Sequence, residues 1–383
     1  MSEESKTNMT PYIIGYVCAE NPFKDRKAWS GSLFKIRESI ERAGFKVQWI
    51  PYKKDSMGVL FLRFFIRLMS FLSREKIFGG VHNPSIVHYY AKSINMTLVN
   101  SCDYLFFPGG AQIALYLKSP KPVINYTDAT VHCMINYYWK GYNHKSIEYA
   151  KRLEENAAQR CFLNIRSSDW AKDSLINDCH ADPKTCYVLE FGPNIDEKDI
   201  TPTESYCDGP LNILFSGVDW DRKGGDIAIE TVQILRKKGI DAHLTIVGPD
   251  SFPEYSSFVN FVGFLNKNSE SDYKKYLRLF RDNHLFLLPT KAECAGIVFC
   301  EASAFGLPCY TYATGGTTNY VVNGVNGYAF PLGSPARTFA DQIFQDIQQQ
   351  KLSTLSKGAL RLSKEKLSWE VWSENFRSII DKS

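Results

Sequence analysis

A regular alternation of strand-like and helix-like segments, repeated twice along the chain, most constrains the fold. The first series has strand-like YIIGYVC, KVQWI, YLFFPG and PVINYT, with helical stretches that include SGSLFKIRESIERAG. The second begins at Leu211 with NILFSG and continues through HLTIVG, NFVGF and HLFLLP. Such alternation is typical of parallel sheets with helices on both faces. We therefore predict an α/β protein with two Rossmann-like domains and a ligand in the cleft that faces the strand carboxyl ends.

A change of pattern near FGPNIDEKDITPTESYCDGPLN separates the two series. This stretch combines Pro, Gly and acidic residues without a clear period, which is typical of a linker. We expect a first domain over 1–195, a second over 196–365, and a final helix within 366–383 that packs across the domain junction. With 383 residues and 44% hydrophobic content, the chain is long enough to bury two cores.

Charge and cysteine usage exclude several classes of protein. The net charge of +4 is small and evenly mixed, so we expect no nucleic-acid partner. The ten cysteines form no Cys-x-x-Cys pair with matching histidines, so we expect no metal site, and free thiols suit a reducing cytosol. The first residues are acidic where a cleaved signal peptide would be basic. These observations favour a cytoplasmic protein.

The stretch AECAGIVFCEASAFGLP, which follows the strand HLFLLP, contains the main candidate site. The helix start at Gly296, Ile297 and Val298 offers unpaired amides and the positive end of a helix dipole, which suit a phosphate. Glu293 and Glu301 flank this start, and carboxylates beside a phosphate would bind neutral hydroxyls, one of a sugar and one of a ribose. Alternatively, Glu293 stabilises the helix dipole and Glu301 is a solvated helix residue.

The stretch GVDWDRKGGDIAIE is the second candidate. Arg222 and Lys223 stand at the amino end of a helix, where each charge opposes the dipole by about 0.3–1 kcal/mol. A bound diphosphate would reverse that sign, and the glycines that follow allow a tight turn beneath it. The alternative is an exposed turn whose own acidic residues compensate the cations. Those residues are Asp219, Asp221 and Asp226.

The second half resembles the retaining GT-B glycosyltransferases of family 4. The match runs in order through ILFSGVDWDRKGGDIAIE, LTIVGPD, FVGFL, LFLLPTKAECAGIVFCEASAFGLP and YATGGTTNYVVNGVNGYAF. A weaker match in the first half includes SSDWAKDSLI and VLEFGPNID. The spacing of Glu293 and Glu301 matches the family's E-x7-E motif. The resemblance implies a GT-B fold and the metal-independent transfer of a sugar, with anomeric retention, from a nucleotide diphosphate to an acceptor hydroxyl.

The resemblance also implies roles in binding a UDP- or GDP-linked donor. Glu293 would contact the sugar and Glu301 the ribose, while the backbone from Gly296 to Val298 would hold sugar and phosphate. Lys223 and Arg222 would bind the diphosphate. The strand-end glycine is Gly217, and the base would lie near Gly263 and Phe264. The chain departs from the family twice: Val218 stands where many members have Arg, and Ala295 where many have an aromatic residue.

The acceptor side, by the same resemblance, includes the Gly31 loop and Asp128. Asp128 falls where many relatives have a histidine near the reacting centre. The alternative is that Asp128 is a helix N-cap, because it precedes ATVHCMINYY. His132 faces either the cleft, as an acceptor-binding residue, or the core.

The segment 57–76 is apolar, yet Arg63, Arg67 and Arg74 interrupt it. It therefore fails the length of uninterrupted apolar sequence that a membrane span needs. A basic apolar helix of this kind can lie in the interface of an anionic membrane, which would suit a lipid-linked acceptor. The alternative is a core helix whose arginines reach the surface.

We therefore predict a cytoplasmic glycosyltransferase, peripheral at the inner face of the membrane and without a cofactor. It would move a sugar from a nucleotide sugar to a carbohydrate or lipid-linked acceptor in polysaccharide, glycolipid or glycoconjugate assembly. One alternative is a GT-B sugar-nucleotide epimerase, which would need further carboxylates and histidines. Another is a non-catalytic GT-B subunit, which should have lost the motif residues that are present here. Those residues are Glu293, Glu301, Arg222 and Lys223.

Overall fold

The computed structural model describes residues 11–203, 209–248 and 257–383. The first domain contains a six-stranded parallel sheet in the order β2-β1-β3-β4-β5-β6. Its strands are β1 (Ile13–Val17), β2 (Lys46–Ile50), β3 (Tyr104–Pro108), β4 (Val123–Thr127), β5 (Leu163–Arg166) and β6 (Cys186–Val188). The central strands are buried along successive residues, as expected for a parallel sheet covered on both faces.

Seven α-helices accompany the described part of this sheet. They are α1 (Ser32–Arg42), α2 (Met57–Ser73), α3 (Pro84–Lys92), α4 (Met96–Asn100), α5 (Val131–Met134), α6 (His144–Arg160) and α7 (Asp169–Asn177). Several begin at a residue whose side chain caps the first turn, such as Asn83, Asn143 and Ser168.

The second domain contains another six-stranded parallel sheet, in the order β12-β11-β10-β7-β8-β9. Its strands are β7 (Leu211–Ser216), β8 (Ala242–Val247), β9 (Val259–Gly263), β10 (Leu285–Leu288), β11 (Cys309–Ala313) and β12 (Gly327–Pro331). Its helices are α8 (Trp220–Lys223), α9 (Gly225–Lys237), α10 (Glu270–Arg281), α11 (Ile297–Ala304), α12 (Thr317–Tyr320), α13 (Ala336–Gln348) and α14 (Leu352–Glu365). The predicted class of two parallel-sheet Rossmann-like domains is confirmed.

The last helix, α15 (Trp369–Lys382), returns to the first domain. Trp372 and Phe376 stack on each other with ring centroids 4.9 Å apart, and the Trp372 ring meets Tyr126 of β4 edge-on. The indole of Trp369 donates to the carbonyl of Pro193, in the passage between the domains, at 2.9 Å. The helix thus ties the end of the chain to the first sheet and to the start of the connection. The predicted linker includes residues 204–208, which lie outside the described residues.

Helix α2 lies on the surface. Within Met57–Ser73, all of which the structure describes, Val59 is the one buried residue. The prediction's alternative of a core helix is therefore wrong. Within the described ranges, no helix combines the length and apolar character needed to cross a membrane.

Candidate functional site

A cavity of about 670 Å³ lies between the two domains and collects most of the predicted site residues. It is formed at the carboxyl ends of strands, where loops and helix starts from both sheets face each other. The predicted residues that line it are Asp128, Gly217, Lys223, Phe264, Glu293, Gly296, Ile297, Val298 and Glu301. The predicted residues that do not line it are Gly31, His132, Arg222 and Gly263.

The start of α11 forms one wall of this cavity. Gly296 precedes the helix with φ of +96°, and a Cβ there would lie 2.5 Å from the Phe299 ring. Glycine is therefore required for this entry. No side chain caps the helix, and its first amides have no intrahelical acceptor. With Ile297 and Val298 among the lining residues, the geometry suits an anion at this helix start.

Glu301 is almost fully buried, at 1% exposure. One carboxylate oxygen accepts from Lys267 Nζ at 2.6 Å, and the other accepts from the Tyr276 hydroxyl at 2.6 Å. Burial and the charge of Glu301 raise the pKa of Tyr276 well above its ordinary value, so its phenol stays protonated as a donor. The alternative of a solvated Glu301 is therefore wrong. The carboxylate is held in place by two partners beside the cavity.

Lys223 and Glu293 form an ion pair in the wall of the same cavity. Lys223 Nζ donates to Glu293 Oε2, and both side chains are mostly buried. The alternative that the acids of the turn compensate its cations holds only in part. Asp219 caps α8 and pairs with Arg222 at 3.2 Å, whereas Lys223 is paired with Glu293, which lies 70 residues away in sequence.

Arg222 contacts the opposite domain. Its Nη1 donates to the Tyr138 hydroxyl at 3.1 Å and to the carbonyl of Ala292 at 3.0 Å, and its guanidinium lies over the Tyr138 ring. It also approaches Glu293 Oε2 at 3.8 Å. Arg222 therefore links the two domains beside Glu293. Of the two predicted cations, Arg222 and Lys223, Lys223 is the one that lines the cavity.

Two neighbouring glycines shape the turn below the cavity. A Cβ on Gly217 would lie 2.7 Å from the Lys223 side chain, and a Cβ on Gly224, at φ of +75°, would lie 2.1 Å from the carbonyl oxygen of Pro289. The turn can therefore approach β10 only with glycine at position 224. Gly263, the last residue of β9, has φ of +79°, and a Cβ there would meet no described residue within 4 Å, while Phe264 lines the cavity and is 66% exposed.

Asp128 joins this cavity to a second one of about 440 Å³ in the first domain. Asp128 and Trp29 line both cavities. Burial, with a contribution from the charge of Glu293, raises the pKa of Asp128. The alternative of Asp128 as a helix cap is wrong, because α5 is capped by Thr130, whose side chain accepts from the amide of Cys133.

The Gly31 loop contributes through the residues before the glycine. Trp29 and Ser30 have φ of 49° and 56°, and Gly31 follows with φ of 95°. Trp29 and Ser30 line the cavity between the domains, whereas Gly31 does not. The left-handed turn therefore presents these two side chains, and its strain marks a constrained loop beside the site.

His132 lies away from both cavities. Its Nδ1 is 3.6 Å from Cys179 Sγ, and its Nε2 is 3.9 Å from a Glu155 oxygen. Among the described residues, His132, Glu154 and Cys179 form a group whose ligand atoms are close enough together to hold a metal ion. Burial raises the pKa of Glu154 to about 7, and the buried cation of Arg166 lies near it, which disfavours a second cation there.

The sequence did not indicate several residues that hold the site together. Lys267 and Tyr276 fix Glu301, and Trp29 lines both cavities. Tyr137 and Tyr138 hold the Glu293 loop from the first domain. For Lys267 there was a signal, because NKN follows the strand NFVGF at the edge where site residues gather.

The chain is similar in sequence and in fold to known glycosyltransferases. Residues 210–349, which include the E-x7-E spacing, match the family described as Glycosyl transferases group 1. The fold is GT-B, because the chain aligns over nearly its full length with solved glycosyltransferases of that fold. It is similar to a sucrose-phosphate synthase from Thermosynechococcus elongatus, with a TM-score of 0.69, 14% identity, and coverage of 97% of this chain and 100% of that one. It is also similar to Anabaena Alr3699/HepE in complex with UDP and glucose, with a TM-score of 0.63, 15% identity, and coverage of 97% and 100%.

Two relatives found by sequence cover less of the chain. An uncharacterized glycosyltransferase of Methanocaldococcus jannaschii, MJ1178, is 26% identical over 184 residues, which are 46% of this chain and 50% of the relative. Sucrose synthase 2 of Zea mays is 31% identical over 98 residues, which are 24% of this chain and 12% of the relative. The matched region thus spans half or less of these proteins. The predicted resemblance is confirmed for the glycosyl transferases group 1 region and for the GT-B fold.

Proposed function

We propose that the protein is a retaining, metal-independent glycosyltransferase of family 4 that uses a nucleotide diphosphate sugar. The observation that carries the proposal is the arrangement of Lys223, Glu293 and Glu301 around the amide-rich start of α11, in a cavity that both domains line. The match of residues 210–349 to glycosyl transferases group 1 supports the same reading. So does the UDP in the solved Anabaena structure to which the chain is similar.

The diphosphate would bind between Lys223 and the first amides of α11. Glu293 neutralises Lys223 in the structure, so a diphosphate would compete with Glu293 for this cation. The helix start adds a second source of positive potential without a mobile side chain. Both groups would also stabilise the charge that develops on the departing nucleoside diphosphate. The chemistry therefore requires no metal ion.

The two glutamates would bind hydroxyls on either side of the diphosphate. Glu301 is fixed by Lys267 and Tyr276, and a buried, fixed carboxylate is a suitable acceptor for the hydroxyls of a ribose. Glu293, once released from Lys223, would accept from hydroxyls of the transferred sugar. Phe264, exposed at the rim of the cavity, offers an apolar surface for the base, either uracil or guanine.

In the proposed reaction, the acceptor hydroxyl attacks the anomeric carbon from the face that the diphosphate leaves. The bond between this carbon and the diphosphate oxygen breaks, the bond to the acceptor oxygen forms, and a diphosphate oxygen takes the acceptor's proton. The first-domain cavity would hold the carbohydrate or lipid-linked acceptor. Asp128, which lines both cavities, would hydrogen-bond the groups that meet between them.

A panel of UDP- and GDP-linked sugars tests donor binding. A ligand at 100 times its Kd should stabilise the folded protein by about 2.7 kcal/mol, which a thermal unfolding scan detects. The double variant Lys223→Met/Glu301→Gln should lose this response, while Lys274→Met, which changes an exposed cation on α10, should keep it. If no nucleotide sugar raises the Tm of the wild-type protein, or if the double variant responds equally, the proposal fails.

The reaction itself needs a separate measurement. Release of the nucleoside diphosphate from the stabilising donor distinguishes an enzyme from a non-catalytic binding subunit. Proton NMR of the glycoside product then reports the anomeric configuration, which we expect to equal that of the donor. An inverted product would overturn the retaining assignment and leave donor binding unaffected.

A further inference from the structure

Helix α2 exposes a continuous apolar face to solvent. Met57 and Phe71, near its two ends, are 83% and 81% exposed, and Phe61 and Phe64 between them are 68% and 66% exposed. The other exposed apolar residues of this helix are Leu60, Phe65, Leu68, Met69 and Leu72. An exposed apolar surface of this size is unusual on a protein in water and is typical of a site that binds a membrane or another molecule.

The inner side of α2 fixes this face outward. Val59 is buried, and Leu62 and Ile66 pack against the first-domain core. Arg63 is also on this inner side, where its Nη2 donates to the Tyr90 hydroxyl at 3.0 Å. The helix cannot rotate to bury its phenylalanines without exposing these residues, so the apolar face needs an external partner.

Cations surround this apolar face. Segment 53–76 contains six lysine and arginine residues and two acidic ones, Asp55 and Glu75, both outside the helix. Lys53, Arg67 and Arg74 are exposed. Lys54 pairs with Glu20, and Lys76 lies near the Tyr142 ring. Basic residues beside exposed aromatic residues complement a layer of anionic headgroups above acyl chains.

A second copy of this chain fits the face less well. Two α2 helices packed face to face would take Arg67 out of water beside the apolar contact, and α2 carries no acidic residue to compensate it. A membrane supplies both the apolar and the anionic part. With 17 residues, α2 is about 26 Å long, and Arg67 lies in its second half, so it suits the plane of the interface and not a span.

We propose that α2 lies in the interface of an anionic phospholipid membrane, with its apolar face at the acyl boundary and Arg67 and Arg74 at the headgroups. The segments next to α2 line the first-domain cavity, through Tyr52 before the helix and Val81 and His82 after it. Membrane binding would therefore hold this cavity at the lipid surface. Given the proposed function, the acceptor is then a molecule anchored in the membrane.

Flotation of the full chain with vesicles tests the membrane proposal. The wild-type protein should float with phosphatidylcholine–phosphatidylglycerol vesicles and remain unbound with phosphatidylcholine alone. Removing cations in Arg67→Gln/Arg74→Gln should weaken binding about 25-fold, since each basic residue contributes about fivefold. Phe64→Asp/Phe71→Asp should abolish flotation, whereas Leu332→Asp, a single change of the same type at an exposed apolar residue of the second domain, should not.

Two further measurements make the outcome decisive. The changed side chains are exposed, so the Tm and the response to nucleotide sugars should equal those of the wild-type protein, which separates this proposal from the proposed function. If the wild-type protein does not float, or the aspartate variant floats equally, the proposal is overturned. It is also overturned if sedimentation shows a wild-type dimer that Phe64→Asp/Phe71→Asp dissociates, because a second copy would then cover α2.

Discussion

The phenol oxygen of Tyr137 accepts a hydrogen bond from the backbone N–H of Glu293 at 2.7 Å, which links the first domain to the loop before α11. The same phenol lies 2.8 Å from Thr314 Oγ1. Beside it, the Tyr138 hydroxyl donates to the carbonyl of Ala292 at 3.0 Å. The position of Glu293 therefore depends on contacts with the first domain as well as on its own loop.

Tyr137→Phe should weaken binding of a nucleotide sugar. The substitution leaves the amide of Glu293 without its partner, which costs about 1–3 kcal/mol, or about 5- to 150-fold in affinity for a ligand that needs the closed loop. Titration of the donor identified by thermal shift measures this. Tyr149→Phe, at a phenol that is 58% exposed, is the matched control and should bind normally. Unchanged affinity in Tyr137→Phe would show that the loop holds its position without the first domain.

Lys267→Met should destabilise the fold as well as the site. It leaves the buried Glu301 carboxylate with Tyr276 as its remaining partner in the structure, and because Lys267 is one-third exposed we expect a cost of about 2 kcal/mol. Chemical denaturation measures the change. Adding Glu301→Gln should recover part of the stability, because the uncompensated charge is removed.

A matched control for that pair lies on α10. Lys274 pairs with Glu270 at 2.6 Å, but both side chains are exposed to water, so Lys274→Met should leave the free energy of unfolding close to the wild-type value. Equal effects of the two lysine substitutions would contradict the view that burial of Glu301 makes its pair important.

The sequence predicted the local secondary structure around the candidate site. Strand β10, the glycine before α11 and the spacing of Glu293 and Glu301 are local features, and the chain folds there as the pattern indicates. The partners of these residues were not predictable in the same way. Lys267 is 34 residues from Glu301, and Tyr137 is 156 residues from Glu293. Local periodicity assigns a residue to a face, but these contacts depend on how distant elements pack.

Helix α2 shows the same limit in another form. Its composition predicted a basic, apolar helix, but not which side faces the protein. In the structure Arg63 faces the protein and contacts Tyr90, whereas Phe61 and Phe64 face solvent. This orientation follows from the burial of Val59 against the first domain. A periodic pattern in which nearly every position is apolar or basic does not define one buried stripe, so orientation had to come from tertiary contacts.

Gly296→Ala should impair both folding and ligand binding. The residue has φ of +96°, and the added methyl would lie 2.5 Å from the Phe299 ring, so backbone strain and a steric clash act together. We expect a loss of about 2–3 kcal/mol in the free energy of unfolding. Gly263→Ala is the control, because Gly263 also has a positive φ, +79°, but the added methyl would meet no described residue within 4 Å, and a loss of about 1 kcal/mol is expected. A similar loss at both positions would mean that the Phe299 contact is unimportant.

His82→Gln should change how stability depends on pH. Burial lowers the pKa of His82 to about 4, its Nδ1 has no hydrogen-bond partner, and the rings of Phe78 and Trp139 pack against it. A histidine whose pKa is depressed by folding contributes stability above its unfolded pKa, near 6.5, and this contribution is lost as the pH falls toward the folded value. Between pH 7.5 and pH 5 the loss should be about 2 kcal/mol.

Urea denaturation at several pH values measures this difference. The wild-type protein should lose about 2 kcal/mol more than His82→Gln on going from pH 7.5 to pH 5, because glutamine does not take up a proton in that range. Acidic residues that titrate elsewhere act equally in both proteins and cancel in the comparison. His88→Gln, at an exposed histidine of the same helix region, should follow the wild-type profile. Parallel curves for wild type and His82→Gln would show that His82 becomes charged in the folded protein as readily as in the unfolded chain.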